Sequence, residues 1–346
     1  MAAPLSHSNP SRKIIMQIRR RQFAAWALGA PLLQQLSLAS QAAAQPWPAQ
    51  ALTVVVPFAP GGSVDVAARL VMPRLAERLG QPVIIENMVG ASGTIATQRV
   101  IKARPDGYTL LFGVASSVLV APMISPTKFR YDGLHELKPV APVASSVFAL
   151  VARPGLAAGS ADDLIELARQ KPGRLTLGTD GIGTSLHLTG ELIQQMSGID
   201  LVHVPYRSGP QVLTELAGGQ IDLAVLPVAL AQPFVLEGKV KALGVTSRQR
   251  LATLPQAPSL SETPALRNLE VEAWQGLLAP AHTDAHIVKR LADEIAILQA
   301  DPEMVRKLTE AGFKPMRMGH PQFLAYLEQE KRVLESTIRK ANIRTD

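Results

Sequence analysis

The chain has 346 residues, of which 47% are hydrophobic and 18% charged, enough for a large core or two domains. It contains no cysteine, which excludes disulfides and thiolate metal sites. The formal charge of +7 suggests a nucleic-acid partner only until its placement is read: residues 1–44 hold five basic side chains and no acid, and the remainder carries +2.

Those five are Arg12, Lys13, Arg19, Arg20 and Arg21. An apolar stretch over 23–38 follows them, and Ala42, Ala43 and Ala44 precede Gln45. This is the pattern of a signal peptide over 1–44, leaving a mature chain of 302 residues (346 less 44). Pro31, Gln34 and Gln35 argue against a permanent span. Arg20-Arg21-Gln22-Phe23 matches the core of a twin-arginine motif, and an ordinary secretory leader with an arginine cluster fits equally well. Met16 is an alternative start. No later run is long and apolar enough for a bilayer, so the expected product is exported, soluble and periplasmic, not membrane-embedded.

The stretch 54–65 reads Val-Val-Val-Pro-Phe-Ala-Pro-Gly-Gly-Ser-Val-Asp. Its apolar run suits a strand buried on both faces, stopped by Pro57 and Pro60 and turned by Gly61 and Gly62. Ser63 is the expected N-cap and Asp65 complements the positive end of a helix over 63–79, in which Pro73 predicts a kink. A glycine turn delivered onto a helix N-terminus makes an anion site, because free N–H groups point outward there. A strand over 82–86, a turn at 90–94 with a helix to 102, and a strand over 108–114 follow. After a strand over 148–153 and a helix capped by Ser160, the pattern restarts. It gives a strand over 174–178, a loop over 179–183 and a helix over 184–196. Next come a strand over 201–205, a turn through 206–209 and a helix over 210–217. Segments 221–226, 229–236 and 241–245 continue the alternation. Residues 248–269, rich in Pro, Ser and Thr, are expected to loop over the surface, and 271–280 returns as a strand. Helices over 284–299, 302–311 and 321–341 close the chain.

This alternation predicts an α/β protein of two lobes, each a mostly parallel sheet flanked by helices, with crossings near 145–153 and 272–280. The expected division is 45–147 plus 278–346 for the first lobe and 148–277 for the second. Ligands of open parallel sheets bind beyond the carboxyl ends of strands, so both lobes should present their glycine turns to one cleft.

Here the motifs resemble those of a family. Pro57-Phe58-Ala59-Pro60-Gly61-Gly62-Ser63-Val64-Asp65 is similar to the opening motif of the tripartite tricarboxylate transporter receptors, the Bug-type periplasmic solute-binding proteins. Glu86-Asn87, Gly93-Thr94, the run Pro105 to Leu111, and His187 to Leu192 also match. So do Val204-Pro205-Tyr206, Gly218 to Asp222, Ala242 to Ser247 and Trp274 to Leu277. The ordered set covers essentially the whole mature chain. The resemblance implies a type-2-like binding protein, not an enzyme, whose lobes close on a carboxylate-bearing metabolite.

Carried over by position, the resemblance implies donors at Gly61, Gly62 and Ser63, beside Phe58 and Ala59, and at Ala91, Ser92, Gly93 and Thr94. From the other lobe it implies Thr179, Gly181, Gly183, Thr184 and Ser185, with Tyr206 and Ser208 nearby. Phe58 and Trp274 would wall the apolar part. Met88-Val89 stands where Arg-Pro is usual, and Arg207 where Lys is common, which puts the ligand's identity in question. Arg207 reads equally as a partner for a second ligand carboxylate or as a surface residue.

Competing readings are weaker. Gly-x-x-x-x-Gly-Lys-Ser/Thr and Gly-x-Gly-x-x-Gly are both absent, so a nucleotide loop has no support. Ser185 and His187, two apart on a helix, point to different faces, and no Gly-x-Ser-x-Gly elbow exists. His187 therefore reads as structural or as a rim residue. Of the seven histidines only His282 and His286 stand at a metal-ligand spacing, too little for the expectation of a metal site. Asp180 reads as a solvated loop acid, with pairing to a ligand amino or amide group as the sharper alternative. The expectation is a monomeric receptor without cofactor, metal or nucleic acid, serving a membrane permease or a sensor. The rival is an exported enzyme holding an anionic substrate or cofactor in the same cleft; a scaffold without ligand is a third class.

Overall fold

The computed structural model describes residues 47–340; the predicted leader over 1–44 and the last residue of the helix expected over 321–341 lie outside them. Residues from Gln50 onward belong to one compact unit.

β1 (Leu52–Val56) is the apolar run that opens the mature chain, and Leu52, Val54, Val55 and Val56 are fully buried, as a strand covered on both faces requires. It lies parallel between β2 (Val83–Asn87) and β3 (Thr109–Val114). The later half repeats the device: β5 (Thr176–Thr179) lies parallel between β6 (Val202–Pro205) and β7 (Leu223–Pro227). Between these wings β4 (Leu137–Ala152) and β9 (Glu272–Pro280) run antiparallel to each other and to their outer neighbours. The strand order is β2-β1-β3-β9-β4-β7-β5-β6, with β8 (Lys241–Val245) and β10 (Phe313–Pro315) also pairing with β4. The parallel sheets of the expectation thus form the wings, and the middle is antiparallel.

β4 is the element shared by both wings. Its residues up to Val147 pair with β9, and from Phe148 to Ala152 it pairs with β7 and β8. Sequence analysis finds only the second half of this strand, because Pro139 and Pro142 argue against a central strand. The structure accommodates them at two irregularities in the β4–β9 register, between Pro139 and Ala141 and between Pro142 and Ala144. β9 stays beside the first half of β4, and the chain returns to it from β8 through residues 246–271.

Helices cover the wings: α1 (Ser63–Leu79), α2 (Thr94–Ile101), α3 (Ala161–Gln170), α4 (Ser185–Ser197), α5 (Gly209–Ala217) and α6 (Val228–Leu236). The chain ends in α7 (Ala285–Ala300), α8 (Pro302–Glu310) and α9 (His320–Lys340). α9 buries an apolar stripe: Phe323 and Leu327 are fully buried, and Phe323 meets Trp274 of β9 edge-on at 5.5 Å.

Two local expectations are corrected. α1 is capped by Gly62, not Ser63, and no side chain serves as its cap; the helix runs on through Pro73, which faces solvent. The segment 248–269 is not a free surface loop. Leu254, Ala257, Leu260, Leu266 and Leu269 are buried, and Ser259 donates to the Ser247 carbonyl and forms a capping box with Glu262.

Candidate functional site

Four turns follow the carboxyl ends of β1, β2, β5 and β6, where the alternation of strand and helix places binding loops. The first is set by Asp65. Its carboxylate accepts from the Gly61 amide (2.9 Å), from Arg69 Nε (2.8 Å) and from Asn87 Nδ2 (2.9 Å), while Asn87 also donates to the Phe58 carbonyl (3.0 Å). Burial pushes this carboxyl up, but the donors outweigh it and hold it below the usual range. Asp65 therefore builds the turn. It consumes the amide of Gly61, which sits at φ +76°, while the first amides of α1 have no intrahelical acceptor.

The second turn is strained. Gly90, Ala91, Ser92 and Gly93 all have positive φ, unusual for the alanine and serine at +47° and +55°. At Gly93 a Cβ would lie 2.9 Å from Cβ of both Pro57 and Ser117, so the position is closed to any side chain. The Ser92 hydroxyl donates to the carbonyl of Ile182, joining the β2 turn to the β5 turn.

The third turn opens α4. The Thr184 side chain caps the helix by accepting from the His187 amide (3.2 Å) and donates to the Gly181 carbonyl (3.1 Å). Ser116 Oγ, just beyond β3, accepts from the Ser185 amide at 2.9 Å and donates to the Ser185 hydroxyl at 3.0 Å. His187 accepts from the Gly183 amide and stacks on His203 at 4.2 Å between ring centres. Burial, reinforced by His203, pulls His187 down to about 4, so it is neutral at pH 7 and structural. In the fourth turn Ser208 caps α5 by accepting from the Gln211 amide.

These turns surround three adjoining cavities, and Phe58 and Asp180 line all of them. The largest, about 650 Å³, takes in the second turn, Gly181, Tyr206 and Arg207, with Lys128 and Phe129 on its wall. A small one of about 20 Å³ is lined by Gly62, Ser63 and Val64 at the start of α1 and by Ser208, Gly209 and Pro210 at the start of α5. The third, about 40 Å³, is lined by Trp274, Gln275, Ser116 and Ser185 among others. The first residues of helices from both wings thus line neighbouring cavities.

The predicted residues divide accordingly. Phe58, Ala59, Gly62, Ser63, Ala91, Ser92, Gly93, Gly181, Ser185, Tyr206, Arg207, Ser208 and Trp274 line the cavities. Gly61, Thr94, Thr179, Gly183 and Thr184 line none of the three and support the turns instead. Gly61 spends its amide on Asp65, and buried Thr94 donates to the Ala91 carbonyl. Fully buried Thr179 bonds His203, and Gly183 is packed against Ile124. Trp274 is fully buried, belonging to the core and to the cavity lining at once.

Asp180 corrects the reading of a solvated loop acid: its Oδ1 is sealed from solvent. Sequence reasoning also passed over Ser116, Lys128, Phe129 and Gln275. The signal for Ser116 is its place at the carboxyl end of a predicted strand; nothing in the unassigned stretch 115–147 marks Lys128 or Phe129. Among the described residues no group of three or more His, Asp or Glu could hold a metal ion, and no helix is long and apolar enough to cross a membrane.

Comparison with known proteins places this geometry. The family model described as tripartite tricarboxylate transporter family receptor matches residues 67–343. A UPF0065 protein of Bordetella pertussis is 34% identical over 296 residues, covering 85% of this chain and 90% of that relative. A Rhodopseudomonas palustris protein solved with adipate superposes with a TM-score of 0.83 at 31% identity, covering 86% of this chain and 99% of the other. MatC from Rhodopseudomonas palustris, solved with bound malate, gives 0.80 at 30% identity over 84% of this chain and 100% of its own.

Proposed function

The chain belongs to the tripartite tricarboxylate transporter receptor family, and from that premise we propose that it captures a small carboxylate-bearing metabolite between two lobes by hinge closure. The family is one of solute-binding receptors, not enzymes. In this reading the lobes are 45–147 with 278–346, and 148–277, and the protein works in the periplasm after its leader is removed. It acts as a monomer, and the closed form is what a permease or a sensor recognises.

One observation carries the reading: the first residues of α1 and the first residues of α5 line a single cavity. Each terminus contributes about 0.3–1 kcal/mol toward an anion, up to ~2 when partly buried, so several together replace part of the ligand's hydration. Neutral amides also avoid the desolvation cost of burying an arginine–carboxylate pair, which suits a ligand that must be released. Carboxylate binding across both termini then favours the closed arrangement by its differential affinity for it. The adipate and malate held by two relatives support a dicarboxylate-sized guest.

The test is thermal unfolding of the purified protein against mono-, di- and tricarboxylates, aromatic acids and amino acids. A ligand at 100 times its dissociation constant stabilises by about 2.7 kcal/mol. If no acid shifts the transition while a nucleotide or flavin does, the rival reading of an exported enzyme replaces this one.

A further inference from the structure

Behind the third turn two imidazole rings lie face to face. His187 of α4 and His203 of β6 stack at 4.2 Å between centres, 22° from parallel. Each ring holds part of the turn that brings Gly181, Ile182 and Ser185 to the cavities. His187 Nδ1 accepts from the buried Gly183 amide at 3.3 Å, so this nitrogen carries no proton. The Thr179 hydroxyl donates to the Gly181 carbonyl at 3.3 Å, which leaves His203 Nε2 as the donor in its 2.7 Å bond to Thr179 Oγ1. A proton on His187 Nδ1 would set two donors against each other. It would also put a cation in the first turn of α4, where the helix disfavours positive charge.

We propose that His187 and His203 are positioning residues for ligand capture: unprotonated His187 Nδ1 fixes Gly183 and His203 fixes Thr179, so a proton added to His187 loosens the third turn and releases the guest. The proposal rests on the carboxylate-receptor reading and adds a control to it. Neither ring lines any of the three cavities, so the pair acts through the turn. Burial, reinforced by His203, pulls His187 down to about 4, and burial lowers His203 as well. Near the pair, Glu191 on α4 puts Oε1 3.6 Å from His187 Nε2, and Asp180 in the turn is bonded by Thr184. β5, β7 and the segments 121–124 and 264–266, which pack on α4, contain no titratable side chain. α9 meets α4 through Leu334 and Ile338 and has Glu335 and Arg339 exposed. With His187 lower in the intact turn than its ordinary 6.5, the turn is fully favoured above pH 6.5 and loses that advantage as pH falls toward 4.

Two variants of the purified protein separate the acceptor from the ring. His187→Asn offers an amide oxygen in place of Nδ1 and does not titrate, whereas His187→Phe keeps a ring and offers no acceptor. Isothermal titration calorimetry at pH 7 with malate, adipate and glutamate should show His187→Phe binding the best of them at least about fivefold more weakly, the effect of a buried amide left without an acceptor. His187→Asn should bind close to wild type. Between pH 6.5 and 4.5 wild type should lose affinity relative to His187→Asn, a ratio that cancels protonation of the acid, of Asp180 and of His203. Wild-type affinity in His187→Phe, equal losses in both variants, or a ratio independent of pH overturns the proposal and leaves the receptor reading standing. Should a variant fail to fold, or none of the three acids bind, nuclear magnetic resonance of the ligand-free wild type decides. The protection factor of the Gly183 amide against hydrogen exchange should fall at least fivefold from pH 7 to pH 4.5 while that of the α4 interior holds. An unchanged factor overturns the proposal.

Discussion

Glu330 on α9 is a carboxyl that the fold keeps protonated. Burial pushes it up to about 8 against the opposing pull of the Trp274 indole, and its Oε2 makes no hydrogen bond of standard geometry among the described residues. Its folded pKa lies above the ordinary 4.5, so the native state holds a proton that the unfolded chain releases. Stability therefore falls as pH rises from about 4.5 to about 8. Glu330→Gln should raise the melting temperature at pH 8.5 and change it little at pH 4, as scanning calorimetry at both values would show. Such environments are invisible in sequence. Asp180 reads as a loop acid because its own neighbours are Gly, Ile and Thr; the cavity it lines is shared with Phe58 and Gln275, brought from far along the chain. The opposite error occurs at Gly61, whose motif points to a ligand donor while its amide is spent on Asp65 four residues away. Motifs locate the turns well, but which amide of a turn faces outward depends on side chains that reach back into it.

Among elements, those with a clean period were legible. β1, β5 and the later helices fall within a few residues of their predicted ends, because apolar runs and capping residues act locally. β4 was half-hidden, since its two prolines are tolerated only where the partner strand slips register. The wide π-type turn Ser116–Val120 and the single helical turn Ala121–Ile124 have no sequence signature, yet they place Ser116 against α4. The β2 turn permits a sharp test. Gly93→Ala imposes φ +85° on a residue with a side chain and drives its Cβ into Pro57 and Ser117. It should cost more than about 1 kcal/mol in urea unfolding. Because Ala91 and Ser92 depend on the same bend, the acid-induced melting shift should shrink with it.

At the scale of the molecule, the proposed closure has a direct handle in Ser92, whose hydroxyl spans to the Ile182 carbonyl. Small-angle scattering should show a smaller radius of gyration when the best-binding acid of the thermal screen is added. Ser92→Ala removes one neutral hydrogen bond, about 0.5–1.5 kcal/mol, and should leave the loaded protein less compact on average at equal ligand concentration. An unchanged radius in both proteins would argue against hinge motion. The strand order carries a separate consequence for biosynthesis. β9 fills the gap between β3 and β4 although it begins only at Glu272 of a 346-residue chain. A ribosome that has finished the first three strands has made a sheet with no neighbour on one side, and the chain from Val114 to Glu272 must still be polymerised before that neighbour exists. Vectorial assembly from the amino end is thus closed to this topology. The first wing waits for a strand that is made only after the whole second wing.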